Sequence, residues 1–130
     1  MLKRICFLVA LVSLSFCVQA QKPDGAEITF EEKMKEFSDI KYGDSIAYTF
    51  KFRNTGNDTL VIKNVVTTCS CTSRQFTEGP ILPGQAGELV VKFNSSKQES
   101  IGRQNKVITI ISNAINNPER VILIVTILEK

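Results

Sequence analysis

Ile46-Ala47-Tyr48-Thr49-Phe50-Lys51-Phe52-Arg53 is the stretch that decides the fold. Side chains of an extended chain point alternately to opposite faces, so Ile46, Tyr48, Phe50 and Phe52 share one face. Ala47, Thr49, Lys51 and Arg53 share the other. This is a half-buried strand that carries three aromatic rings into a core. Asn54-Thr55-Gly56-Asn57-Asp58 closes it with residues that tolerate turn conformations.

The same period recurs on both sides. Downstream, Leu60 and Ile62 alternate with Val61 and Lys63 and lead to Val65 and Val66. Gly87, Leu89, Val91 and Phe93 alternate with Glu88, Val90 and Lys92. Residues 106–112 and 120–128 make the last two strands, joined by a polar segment containing Pro118. Residues 26–30 and 74–76 read as brief strands, and 31–37 fits either one helical turn or an edge segment. Pro80 and Pro83-Gly84 interrupt, because proline has no N–H for a sheet ladder. About seven short strands separated by turns predict an all-β fold, an immunoglobulin-like antiparallel β-sandwich, with a small Greek-key barrel as the rival. The chain has no tryptophan, so the Cys…Trp…Cys signature of true immunoglobulin domains is absent.

A chain of 130 residues, 43% hydrophobic, is long enough to bury a core of its own. It has no histidine, which excludes a Ser-His-Asp triad, a Cys-His pair and imidazole metal ligands. No catalytic constellation is read, and no cofactor is expected. The formal charge is +3, with acids and bases interspersed, so nucleic acid is not an expected partner. Asn57-Asp58-Thr59 and Asn94-Ser95-Ser96 match glycosylation sequons but read as plain turns.

Lys3 and Arg4, the apolar run 5–12 and Val18-Gln19-Ala20 make residues 1–20 a secretory signal, leaving a single domain over 21–130 with no membrane span. Lipid attachment at Cys17 is the alternative, disfavoured by Phe16 just before it. Cleavage removes Cys6 and Cys17 and leaves Cys69 and Cys71 in an oxidising compartment, where cysteines tend to pair.

Cys69-Ser70-Cys71 carries the chemistry. Residues i and i+2 of a strand sit about 6.6 Å apart, farther than a disulfide allows, so a bonded pair needs a tight turn at Ser70. Such a pair is expected to be exposed, strained and easily reduced, and to stabilise the fold little. A closed zinc site wants four ligands and is not expected from two thiolates. The alternative to a structural turn is thiol redox exchange or copper(I) capture, with Met34 as a further soft ligand.

Phe50-Lys51-Phe52-Arg53-Asn54-Thr55-Gly56, Leu60-Val61-Ile62, Cys69-Ser70-Cys71-Thr72 and Pro83-Gly84 with Gly87 together resemble the bacterial domain of unknown function (DUF) family 1573. Its pattern runs F-x-F-x-N-x-G, L-x-I, C-G-C-T and P-G-x-x-G. The resemblance implies an exported, immunoglobulin-like sandwich of the bacterial cell envelope, with no agreed activity. Ser70 stands where the family has glycine, a steric cost if the position needs a positive φ.

The last two strands are apolar on both faces. If they pair with Ile110 opposite Ile122 and Ile108 opposite Ile124, those four form an apolar patch that marks a partner site. The expected function is therefore a non-enzymatic protein-binding or scaffolding module periplasmic or extracellular in location, its partner another envelope protein. The oligomeric state is not legible.

Overall fold

The computed structural model describes residues 24–97 and 101–129. The expected signal segment 1–20, with Cys6 and Cys17, lies outside them.

Eight strands follow in order: β1 (Ile28–Phe30), β2 (Met34–Ile40), β3 (Ser45–Asn54), β4 (Ile62–Thr67), β5 (Thr72–Phe76), β6 (Ala86–Asn94), β7 (Gly102–Ser112) and β8 (Glu119–Ile127). A 3₁₀ turn, Ser95–Lys97, follows β6. The strands form two four-stranded sheets, β1-β3-β6-β5 and β2-β8-β7-β4. Alternation puts Phe50, Phe52, Leu89, Val91 and Phe93 of the first sheet against Val65, Ile108, Ile110, Val121, Leu123 and Val125 of the second, all buried. This is an immunoglobulin-like β-sandwich. Tyr48 packs edge-on to Phe50 at 4.8 Å and Phe30 lies 5.3 Å from Phe52, geometries that add to the burial of the rings.

The ambiguous segment 31–37 yields an edge strand, not a helical turn. β2 pairs in parallel with β8, from Met34↔Ile122 to Phe37↔Val125, so the second sheet is mixed and the described residues hold eight strands where about seven were expected. Glu31, Glu32 and Lys33 carry the chain from the edge of one sheet to the edge of the other without reversing it. Phe37 packs on Tyr48 at 6.1 Å, and the Lys35 ammonium sits 5.1 Å from the same ring.

The last hairpin corrects the expected patch. Ile108 pairs with Val121 and Ile110 with Glu119, while Ile122 pairs with Val107 and Ile124 with Asn105. That register differs by three residues, an odd number, which exchanges the faces. Ile108 and Ile110 are core residues, 0% and 1% exposed, and do not share a surface with Ile122 and Ile124. The connection between the strands sets this register. Ala114 is buried beneath it, Ile115 N–H donates to the Ala26 carbonyl at 2.8 Å, and the chain must run on to Glu119 before β8 begins. On the outer face Ile124 is only 4% exposed, flanked by the strands that carry the Arg103–Glu36 ion pair. Ile122 is half-buried there, and Met34 and Val66 are exposed.

Candidate functional site

The chain passes from β4 in one sheet to β5 in the other through Thr68-Cys69-Ser70-Cys71, outside any regular strand. Cys69 and Cys71 are bonded to each other, with Cα atoms 5.2 Å apart. The Thr72 N–H donates to the Cys69 carbonyl at 3.2 Å, and the Asn94 N–H donates to the Cys71 carbonyl at 2.9 Å. The turn is thereby fastened to the end of β6. The Cys71 N–H also points at the Cys69 Sγ, 3.1 Å away. Ser70 is not among the residues with positive φ, of which Asp39 is the one non-glycine case among the described residues. The steric cost expected for serine at the family's glycine position therefore does not arise.

The pair is not the exposed one expected. Cys71 is 2% exposed and belongs to the core cluster, and Cys69 packs against it half-buried. Thiol–disulfide exchange needs a sulfur that an incoming thiolate can reach, and burial restricts that. Met34 stands on β2, at the opposite edge of its sheet from β4, which delivers the cysteines, so the fold does not bring the three sulfurs together. Among the described residues no three His, Cys, Asp or Glu side chains group in a way that holds a metal ion. None of the helices among them is long and apolar enough to cross a membrane.

Beside the turn lies an open groove of about 330 Å³, whose polar lining is Ser45, Ser70, Ser73, Lys92, Asn94 and Lys97 and whose apolar lining includes Ile46, Ala47 and Phe93. It continues along β5 into a recess of about 110 Å³ bounded by Ser73, Arg74, Gln75, Val90 and Lys92. Among the described residues no carboxylate lines either one. The ion pairs among the described residues are Lys33–Glu119 and Arg103–Glu36, so among these residues Lys92 and Lys97 in the groove and Arg74 at the recess have no acidic partner. Sequence reading passed over these three cations because each occupies an ordinary solvent-facing position.

The strand beneath them, β5, is an edge. Among the described residues it pairs with β6 alone, Ser73↔Lys92 and Gln75↔Val90, in the same register in which Asn94 N–H meets the Cys71 carbonyl and Thr77 N–H the Glu88 carbonyl. In an antiparallel ladder alternate residues turn their backbone groups to the partner strand. Ser73 and Gln75 face β6, and Arg74 and Phe76 direct N–H and C=O outward. Each of the other three edges is interrupted. On β1, Asn116 caps Ile28 from both sides, its Nδ2 donating to the carbonyl at 2.8 Å and its Oδ1 accepting from the N–H at 3.2 Å. On β2, pairing shifts between Phe37 and Ile40, where Asp39 has φ 58°. On β4, pairing shifts between Ile62 and Asn64, and the Asn64 side chain takes the Val65 N–H at 2.9 Å. Among the described residues β5 has no bulge and no proline, and the Thr67 hydroxyl, which donates to the Thr72 carbonyl at 3.5 Å, covers only its first residue and leaves Arg74 and Phe76 open.

The remaining motif residues are structural and sit at the other end of the sandwich. Asn54 is fully buried. Its Oδ1 accepts from Gly56 N–H at 3.0 Å and Glu27 N–H at 3.4 Å, and its Nδ2 donates to the carbonyls of Asp58 at 2.7 Å and Ile81 at 2.9 Å. A Cβ on Gly56 would lie 2.1 Å from the Gly25 carbonyl oxygen, and one on Gly87 2.4 Å from the Phe52 ring. Leu60 and Ile81 bridge through both backbone groups at 2.8 Å.

In fold the chain is similar to a protein of unknown function from Porphyromonas gingivalis, at 16% identity over 82% of this chain and 49% of that one, with a TM-score of 0.69. It thus spans about half of that relative's length. A PapD-like domain of human CEP192 matches at 10% identity over 85% and 91% of the two chains, with a TM-score of 0.66. The YadV chaperone matches at 8% identity over 79% and 53%, with a TM-score of 0.59. At such identities the likeness concerns the fold alone. No curated protein matches the chain. The model of the family described as protein of unknown function (DUF1573) matches residues 28–127, nearly all of the sandwich, and the chain belongs to that family.

Proposed function

We propose that this protein is an exported, non-enzymatic module of the bacterial cell envelope that binds an extended segment of another protein by strand addition to β5. The observation that carries the reading is the contrast among the four edges. Three are capped or irregular, while β5 presents the backbone groups of Arg74 and Phe76 outward in a regular strand. Uncovered edges are a template for pairing and are ordinarily blunted, and strand addition is a recurring mode of peptide recognition. The signal-like residues 1–20 and the bonded cysteines fit an oxidising compartment outside the cytoplasm.

The test uses ten-residue peptides selected from a random display library on the secreted protein. Arg74→Pro deletes the outward N–H and spares the ladder to β6, which runs through Ser73 and Gln75. It should weaken the selected peptides at least about tenfold against Arg74→Ala, which loses the guanidinium but keeps the N–H. Methylating alternate amides of the peptide should have the same effect with the protein untouched. Equal binding to both variants, and to methylated peptides, defeats the reading.

A further inference from the structure

We infer that the segment β5 accepts is acidic, with carboxylates at alternate positions along its length. The inference rests on the strand-addition reading and names the chemistry of the partner. A strand laid against β5 places one side chain beside Arg74 and the next on the outer face beside Ser73. Ser73 is small, and behind it in the ladder stands Lys92, its direct partner on β6. A carboxylate opposite Ser73 can thus be met across it by the Lys92 ammonium. Toward the cysteine turn the groove widens between Ser45, Ser70 and Lys97, so that a further acidic side chain would find a second ammonium and several hydroxyls. Opposite charges on neighbouring strands attract, and like charges repel. Among the described residues the outer face of this groove holds two ammonium groups, Lys92 and Lys97, and no carboxylate, so it selects for acid and against base. Arg74, Lys92 and Lys97 are all exposed, so a partner reaches them without rearrangement of the fold.

The peptides selected on the full protein are sequenced and measured individually by fluorescence anisotropy. Aspartate or glutamate should be enriched at every second position. Affinity for these peptides should fall at least about tenfold in Lys92→Glu with Lys97→Glu, and fall further as salt rises. Both positions are solvent-facing, and an unchanged circular dichroism spectrum confirms that the double variant folds. Neutral or basic peptides that still require the residue 74 N–H overturn the acidic preference and leave strand addition standing. Acidic peptides that bind equally to the Lys92→Glu, Lys97→Glu protein overturn it as well. Peptides indifferent to both Arg74→Pro and amide methylation defeat strand addition and the inference with it.

Discussion

The two ends of the sandwich are built by different means. At one end asparagine side chains replace missing backbone partners. Asn54 ties four backbone groups together, Asn113 bridges Thr59 and Val61, Asn116 caps Ile28, and Asn117 accepts from Ser112 N–H. At the other end a disulfide turn leads into an edge strand whose outward backbone groups at Arg74 and Phe76 carry no such cap, beside a groove of about 330 Å³. A side-chain amide carries a donor and an acceptor at a spacing close to that of a peptide group, so it can close an edge without adding a strand. Closing one end in this way and leaving the other open separates the part of the chain that holds the fold from the part able to take a partner.

Asn54→Ala should break the closed end most severely. It removes the amide partner of two carbonyls and two N–H groups, of which the Ile81 carbonyl keeps its bond from Leu60 N–H, and each buried group left unsatisfied costs about 1–3 kcal/mol. Allowing for relaxation and water entry, a loss of about 3 kcal/mol is expected in urea unfolding. A loss below about 1 kcal/mol would mean that the amide network is not what closes this end.

Removing the sulfurs tests the open end. The closed ring spans three residues, for which the chain-entropy relation predicts about 1.5 kcal/mol, half the value for a fifteen-residue loop. Cys69→Ala with Cys71→Ala should therefore destabilise by about 1–2 kcal/mol, burial of Cys71 adding the cost of a small cavity. If the loss exceeds that for Asn54→Ala, the contrast between the ends is reversed.

The closed end was far more legible in the sequence than the open one, for a physical reason. Phe50, Phe52, Asn54 and Gly56 occupy fixed offsets on one strand and its turn, and local spacing displays what local geometry demands. Alternation likewise placed β3 and β6. What it could not supply was pairing between strands. Apolar residues on both faces of β7 and β8 left two parities open, and the buried Ala114 connection chose the one that puts Ile108 and Ile110 inside. Nor does a sequence show that a short strand such as 72–76 lies at an edge, because that depends on where distant strands have gone.

Asn116→Ala sharpens the comparison from the other side by uncapping β1. Both Ile28 backbone groups lose their side-chain partner, but they are part-buried at a sheet edge where water can take its place once the amide is gone, so about 1 kcal/mol is expected. Hydrogen exchange at Ile28 should accelerate while exchange in β6 and β7 is unchanged. Uniform acceleration would show that Asn116 supports the whole sandwich instead of one edge.

The smallest effect is expected at Lys106, an inward-facing residue of β7 at the cysteine end, 8% exposed. Its ammonium lies 5.7 Å from the Phe93 ring and donates to Gln104 Oε1 at 2.8 Å. Burial holds its pKa below the ordinary lysine value of 10.5. The folded protein thus binds this proton less tightly than the unfolded chain does. At neutral pH both states are protonated, and the fold bears the cost of the buried charge. As pH rises through the lowered pKa toward 10.5, the folded state releases the proton first and that cost is relieved. Lys106→Met should accordingly stabilise the protein at pH 7, by up to about 1 kcal/mol, offset by the lost hydrogen bond and ring contact. The advantage of the variant should shrink as pH rises toward 10.5. Tyr48 titrates above the usual phenol range because its hydroxyl donates to Glu32, but it is common to both proteins and cancels in the difference. A pH-independent difference would show that Lys106 keeps its charge hydrated at the mouth of the sandwich, and that the cysteine end is more open to water than its buried Cys71 implies.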